Sequence, residues 1–472
     1  MKITELSALN LSELIRQGEL SCREAVSEFL SQEDVYNCFI TRDAEYALKQ
    51  ADIVQRRIDS GERLSPLAGI PVAVKDNLSV KGMRATCASR MLENYVPVYD
   101  AECVSRLKRA GMIILGKTNM DEFAMGWSGE TSAYGAVKNP HGTGCCAGGS
   151  SSGSAAAVAG KLAPLALGTD TGGSVRQPAA FCGVYGLKPT YGAVSRRGLI
   201  AYASSLDTVG VIGRDIPDTA ALYSVIMGRD ERDSTSVNSP DFKLSDIKSY
   251  DLKDKKIGVL VNTAEGGITD DIKKALRSTV KRISGLGGEC SEIKLEFFDL
   301  AVSAYYVLAC AEASSNLARY DGVRYGRRAD GAKTLDELYV MSRSEGFGSE
   351  VKKRLMLGSF VLSAGYYDAY YLKALKAKRL ISAEINRALE SFDFILMPVT
   401  CDTAFRLGEN KGDSLEMYLS DAFNVTANLA GVPALSIPCG KGENGMPIGL
   451  QLMAGRGKEA ALLGAAFALN NE

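Results

Sequence analysis

Two glycine-rich segments carry serines suited to nucleophilic chemistry. In Gly148-Gly149-Ser150-Ser151-Ser152-Gly153-Ser154 the glycines precede an alanine run, Ala155 to Ala157. That pattern predicts a tight turn opening a small-residue helix, where serines also serve as caps. In Gly168-Thr169-Asp170-Thr171-Gly172-Gly173-Ser174-Val175-Arg176 the apolar run Leu165-Ala166-Leu167 leads into the turn, which reads as a strand end followed by glycines. Two glycines ahead of a serine let the backbone bend and aim successive N–H groups at one spot, as an oxyanion hole beside a nucleophile requires. A helix leaving Ser150 and a strand returning to Ser174 would permit the two serines to meet. A serine nucleophile needs a base, and the chain has one histidine, His141, inside Asn139-Pro140-His141-Gly142-Thr143-Gly144. That is turn chemistry and predicts a loop histidine. Lysine serves instead when burial disfavours its ammonium form. Lys75 closes the apolar run Gly69-Ile70-Pro71-Val72-Ala73-Val74, either as a buried base or as a strand-end lysine snorkelling to solvent.

The elements that must hold these residues alternate along the chain. Leu11, Leu14 and Ile15 form a helical stripe; further helices are expected from about Ser21 and through residues 44–58. Residues 69–76 read as a buried strand, 101–110 as an amphipathic helix and 112–115 as a strand. Residues 129–210 are rich in Gly, Ser, Thr and Ala with few charges, which implies closely packed backbone around a site. A helix is expected over 218–227, a polar surface connection over 228–254, a strand at 256–261 and a helix at 270–284. Long helical stretches cover about 296–319 and 349–391, and core strands 394–397 and 434–437. The alternation predicts an α/β layered fold. At 472 residues and 46% hydrophobic the chain can bury a large core.

Composition removes several function classes. Lys plus Arg number 55 and Asp plus Glu 56, a net charge of -1, which offers no footprint for gripping nucleic acid directly. The N-terminal residues lack an apolar signal core, no stretch is long enough to span a membrane, and the 11 scattered cysteines suit a reducing cytosol; a cytoplasmic location is expected. A single histidine rules out two-histidine metal motifs, and Cys145-Cys146 lacks ligand spacing, so no metal site is expected. Gly111-Met112-Ile113-Ile114-Leu115-Gly116-Lys117-Thr118 spells a P-loop, but its four central residues are themselves the expected strand, where a phosphate cradle would need an exposed loop.

The combination of Val72-Ala73-Val74-Lys75-Asp76-Asn77, Gly148-Gly149-Ser150-Ser151 and Thr171-Gly172-Gly173-Ser174 resembles the amidase-signature family, with Ser150 75 residues after Lys75 and Ser174 24 residues after Ser150. The resemblance implies one amidase domain over 1–472: N-terminal helices at 1–60, a signature core at 65–227, and, beyond the 228–254 connection, the remainder of a central mixed sheet covered by helices on both faces. It implies a Ser–cis-Ser–Lys triad, with Ser174 as nucleophile, Ser150 as bridging serine and Lys75 as base, and an oxyanion hole from the amides of Thr171, Gly172 and Gly173. Met120-Asp121-Glu122-Phe123-Ala124-Met125-Gly126, Ser204-Ser205-Leu206-Asp207, Glu312 to Gly322 and Asn428 to Pro433 are similar to the glutamine-hydrolysing subunits of tRNA-dependent amidotransferases. From that likeness, Tyr305, Arg354 and Asp421 map onto glutamine-binding positions. The chemistry fits, since Arg354 can fork onto a carboxylate and Asp421 can accept from an ammonium. Taken alone, Arg354 reads as a solvated helix face and Asp421 as a helix-end cap. The likeness further implies a tRNA-binding partner subunit holding ATP and Mg, a small third subunit, no cofactor in this chain, and an exposed apolar patch of interface size. The chain departs from the family pattern at Cys145-Cys146-Ala147, at Ser152 and at Trp127, all outside the triad. A free-standing amidase for small or aryl amides is the alternative function, and a P-loop ATPase or non-catalytic scaffold the third.

Overall fold

A computed structural model describes residues 2–262, 267–409 and 421–470. Its centre is an 11-stranded mixed sheet. The strands are β1 (Phe39–Arg42), β2 (Pro71–Lys75), β3 (Ile113–Thr118), β6 (Leu165–Asp170), β7 (Tyr185–Lys188), β8 (Thr208–Gly213), β9 (Lys256–Leu260), β10 (Glu289–Ile293), β11 (Phe394–Pro398), β12 (Ala434–Lys441) and β13 (Pro447–Ala454); β4 (Lys138–Asn139) and β5 (Gly142–Cys146) form a separate hairpin. They lie in the order β1-β3-β2-β6-β8-β7-β12-β13-β11-β9-β10. β2 runs parallel to β3 and β6, and β9 parallel to β10 and β11. The pairings from β6 through β8, β7, β12 and β13 to β11 are antiparallel. Central strands β2, β3, β6, β8, β11 and β13 are buried throughout. That is why they read as continuous apolar runs and not as alternating patterns.

The glycine-rich middle of the chain is where helices touch the sheet backbone. The helix Arg176–Phe181 lies so close that a Cβ on Gly186 of β7 would come within 2.6 Å of Ala179, and one on Gly449 of β13 within 2.4 Å of Ala180. The helix Ser152–Ala159 carries only Ser, Gly, Ala and Val and is buried up to Val158. Its small residues let it pack against β2, β3, β6 and β8, close to the strands that end in Lys75 and Asp170.

Most expected elements form. The helices Ala8–Arg16, Cys22–Ser31 and Ala44–Asp59 open the chain, the second closed by a reciprocal Ser21–Glu24 capping box. Between the last two lies β1, a four-residue edge strand too short to show periodicity. The stretch 349–391 is two helices, Ser349–Val361 and Leu372–Ser391, separated around Gly365, whose φ is 88°. The connection 228–254 contains a short helix, Leu244–Lys248, with Ile247 buried. The P-loop letters are strand β3, and Lys117 is fully buried, paired with Asp76 at 3.1 Å. Among the described residues no helix is long and apolar enough to cross a membrane, and no group of three or more His, Cys, Asp or Glu is placed to hold a metal ion. Met356 and Phe360 on Ser349–Val361, Tyr366, and Tyr367 and Tyr370 in the π-helical turn Tyr367–Tyr371 that leads into Leu372–Ser391 are exposed and form an apolar surface stretch.

Candidate active site

Lys75 ends β2 with no solvent exposure. Its Nζ lies 2.7 Å from Ser150 Oγ, 2.8 Å from Ser151 Oγ and 3.3 Å from Thr169 O. The snorkelling alternative is therefore excluded by position. Burial brings the Lys75 pKa down to about 7, against the opposing pull of Asp121, Asp170 and Asp207. The Gly149-Ser150 peptide is cis. Gly149 is obligatory there, because a Cβ would lie 1.9 Å from Asp121 Oδ2, and its N–H donates to Gln177 Oε1 at 2.7 Å. The serines do not cap the helix that follows: Ser151, at its N-cap, makes no side-chain cap bond and faces Lys75.

Ser174 meets this turn from β6. The Ser151 N–H donates to Ser174 O at 3.1 Å, so the two serine loops are stitched together. Ser174 keeps 8% exposure, the most open of the three triad candidates. Its loop is shaped by Asp170, whose carboxylate accepts from Gly173 N at 2.9 Å and Val175 N at 3.1 Å, one amide on each side of the serine. Gly173 adopts φ 117°, open to glycine alone. The Gly173 N–H, expected in the oxyanion hole, donates here to Asp170. The amides of Thr171, Gly172 and Ser174 have no protein acceptor among the described residues. Asp170 is itself held by Arg176 through two contacts of 3.0 and 3.1 Å, both side chains fully buried. Burial alone would raise the Asp170 carboxyl; the Arg176 guanidinium outweighs it and holds the group well below the usual carboxylate range. Arg176 continues to Gln451 at 2.7 Å and Asn428 at 2.7 Å, anchoring the nucleophile loop to the distant half of the sheet.

Of the three substrate candidates Tyr305 touches this loop, and Arg354 and Asp421 meet at Tyr306, whose ring lies 5.0 Å from that of Tyr305. Tyr305, on the helix Ala301–Asn316, lies against Gly172 so closely that a Cβ there would come within 2.5 Å of its ring. Arg354 is only 3% exposed, which overturns the solvated-face reading. Its Nη1 donates to Tyr202 OH at 2.8 Å and its Nε to Glu350 at 2.7 Å, with Tyr306's ring centroid 5.2 Å from the guanidinium carbon. Asp421 precedes the helix Ala422–Ala430 without capping it; its carboxylate accepts from Tyr306 OH at 2.6 Å. Burial raises the Asp421 pKa to about 7, the Tyr306 bond and Arg354 opposing it. A buried guanidinium and a half-buried carboxylate sharing one aromatic partner make a dipolar clamp, suited to a ligand with a carboxylate and an ammonium.

Sequence reading missed Asp170, Arg176, Tyr202, Tyr306 and Gln177. A signal was present for the first two: an acid and an arginine bracketing Ser174 in a stretch nearly free of charge. The departing residue Trp127 packs at a tilt of 34° against Phe405, ring centroids 4.7 Å apart, and lines, with Cys145 and His141, a cavity of about 1080 Å³ bordered by Phe298 and Phe423. His141 turns its Nε2 to Cys182 O at 3.1 Å, a loop position as expected. The Ser152 hydroxyl is buried with no partner among the described residues.

Comparison with known proteins agrees over nearly the whole chain. The family described as Amidase matches residues 23–463. The A subunit of the glutamyl-tRNA(Gln) amidotransferase of Agathobacter rectalis is 50% identical over 99% of this chain and 94% of its own length. The protein of the same name from Lachnoclostridium phytofermentans is 51% identical over 99% and 97%. Among solved structures, the corresponding glutamyl-tRNA(Gln) amidotransferase protein from Thermotoga maritima superposes with a TM-score of 0.82 at 40% identity, over 100% of this chain and 96% of that one. The peptide amidase from Stenotrophomonas maltophilia gives 0.82 at 29% identity, over 98% and 96%. A serine-lysine cluster on a mixed sheet, a family match over residues 23–463 and relatives at half identity together establish that the chain belongs to the amidase family.

Proposed function

We propose that this chain is the glutamine-hydrolysing subunit of a glutamyl-tRNA(Gln) amidotransferase, releasing ammonia for a partner that amidates glutamyl-tRNA(Gln), aspartyl-tRNA(Asn) or both. The observation that carries the reading is the Arg354–Tyr306–Asp421 clamp beside the Ser174 loop. A neutral amide needs neither charge, whereas a free amino acid needs both. The free-standing amidase, the second reading, has no use for them.

In this reading neutral Lys75 takes the Ser150 proton as Ser150 takes that of Ser174, and Ser174 Oγ bonds to the side-chain carbonyl carbon of glutamine. The amides of Thr171, Gly172 and Ser174 stabilise the oxyanion. The proton returns to the leaving nitrogen, the C–N bond breaks and ammonia departs. Water then attacks the glutamyl ester by the same relay, giving glutamate and free Ser174. Arg354 holds the substrate carboxylate, Asp421 its ammonium, and Tyr305 packs beside the oxyanion loop. The near-neutral charge leaves tRNA to a partner subunit; ATP and Mg on that partner, and a small third subunit of a cytoplasmic complex, follow from the likeness to the amidotransferases. The exposed apolar stretch at Met356, Phe360 and Tyr366 supports assembly. The test is glutamine hydrolysis by the chain alone and co-purified with a tRNA-binding partner. Activity that rises with the partner is expected. A monomer fully active alone, indifferent to the partner and preferring neutral amides, favours the second reading.

A further inference from the structure

The segment Met120 to Gly126 faces two directions. Asp121 looks inward: its carboxylate accepts from Gly129 N and Thr131 N, at 3.1 and 3.2 Å, and lies against the Gly149-Ser150 turn. Glu122 looks the other way and is only 3% exposed. Its Oε2 accepts from Gly348 N at 2.8 Å, its Oε1 from the same N–H at 3.1 Å and from Ser89 Oγ at 2.5 Å. Gly348 is the N-cap of the helix Ser349–Val361 and supplies no side-chain cap of its own. A carboxyl group from a segment 226 residues away therefore closes that helix end, where the Gly348 N–H favours its ionised form and burial opposes it, raising its pKa to about 7. The neighbouring Phe123 adds a second hold, its ring 5.6 Å from Phe347. Phe123 and Ala124 reach these positions with φ of 49° and 61°, a left-handed backbone that residues with side chains rarely adopt. Arg354 lies six residues beyond Gly348 on the same helix, about 9 Å along its axis.

We propose that Glu122 is a positioning residue for amino-acid recognition: by clasping Gly348 it sets the helix that carries Arg354, so glutamine affinity depends on a contact remote from the reacting atoms. This rests on Arg354 holding the substrate carboxylate. Gly348 offers an independent handle. Its φ of -70° and ψ of 171° suit alanine, yet a Cβ there would lie 2.2 Å from Glu122 Oε2, so Gly348→Ala displaces the clasp without straining the backbone.

The experiment measures labelling of Ser174 by a small neutral fluorophosphonate in the full chain, co-purified with its partner where one is needed for solubility, across a glutamine titration. The labelling rate without glutamine reports the nucleophile; the glutamine concentration that halves it reports binding. Glu122→Gln and Gly348→Ala should each raise that concentration about tenfold, the effect of weakening one charge-assisted contact, and leave the uninhibited rate within about twofold of wild type. Combined, they should do little more than either alone, because both break one contact. Half-protection unchanged in both variants, with Arg354→Ala shifting it strongly, would overturn the clasp alone. An equal fall in uninhibited labelling would overturn it in favour of a general structural role. If Arg354→Ala leaves protection unchanged, the carboxylate-site reading fails first and the clasp with it.

Discussion

The pH dependence of the two half-sites can be separated by choice of substrate. Lys75 must be neutral to accept a proton, and burial has moved its pKa from 10.5 to about 7, which disfavours the ammonium by about 5 kcal/mol. Asp421 must be ionised to hold a substrate ammonium, and burial has moved its pKa from 3.8 to about 7. Both groups therefore switch on as pH rises through the same window. A small neutral amide needs only Lys75, whose neutral fraction grows from about one tenth at pH 6 to about nine tenths at pH 8. Its kcat/KM should rise about tenfold over that range. Glutamine needs both groups, and the product of the two fractions rises about a hundredfold. The assay is kcat/KM against pH from 5.5 to 8.5, at constant ionic strength, for glutamine and for a primary amide such as butyramide. Asp421→Asn should remove one factor of about ten from the glutamine curve and leave the amide curve in place. Identical rises for both substrates would refute the role of Asp421. A flat amide profile across this range would refute Lys75 as the base. The same shift links to folding: with its folded pKa below its unfolded one, Lys75 makes stability increase with pH between about 7 and 10.5 and lowers it as pH falls through that window.

Other perturbations follow from the geometry. Lys75→Arg should abolish nearly all turnover, since guanidinium stays protonated; Ser150→Ala should be severely impaired, and the double variant no worse than the worse single one, with additive losses arguing against a shared relay. Arg354→Ala and Asp421→Ala should each raise the glutamine KM by the equivalent of about 1.5–3 kcal/mol and spare the neutral amide; equal losses for both substrates, measured in parallel, would point to a folding role.

What the sequence made legible was whatever a local pattern specifies. The buried strand ending at Lys75 and the turns before Ser150 and Ser174 stand out because apolar runs and paired glycines act within a few residues. Resemblance, and not local pattern, pointed to Arg354 and Asp421; by pattern alone both read as surface helix positions. The burial of Arg354 and the partial burial of Asp421 are tertiary outcomes, set by Tyr202 and Tyr306 arriving from elsewhere in the chain. The commitment of the Gly173 amide to Asp170 and the strands β1 and β10 were hidden for different reasons. One depends on a side chain curling back three residues, the others on short edge strands whose pairing partners lie far away or whose faces alternate weakly. The P-loop letters failed through context, because their central residues are the strand that pairs with β2.

The central claim is that Ser174 forms an ester with the side-chain acyl group of glutamine. Rapid acid quench of the enzyme turning over glutamine, followed by peptide mass spectrometry, tests it most directly. The account predicts an adduct of glutamine less ammonia on the peptide bearing Ser174, absent from Ser174→Ala, which should retain essentially no turnover. Wild-type-like glutamine hydrolysis by Ser174→Ala, or an adduct on another residue, would contradict it.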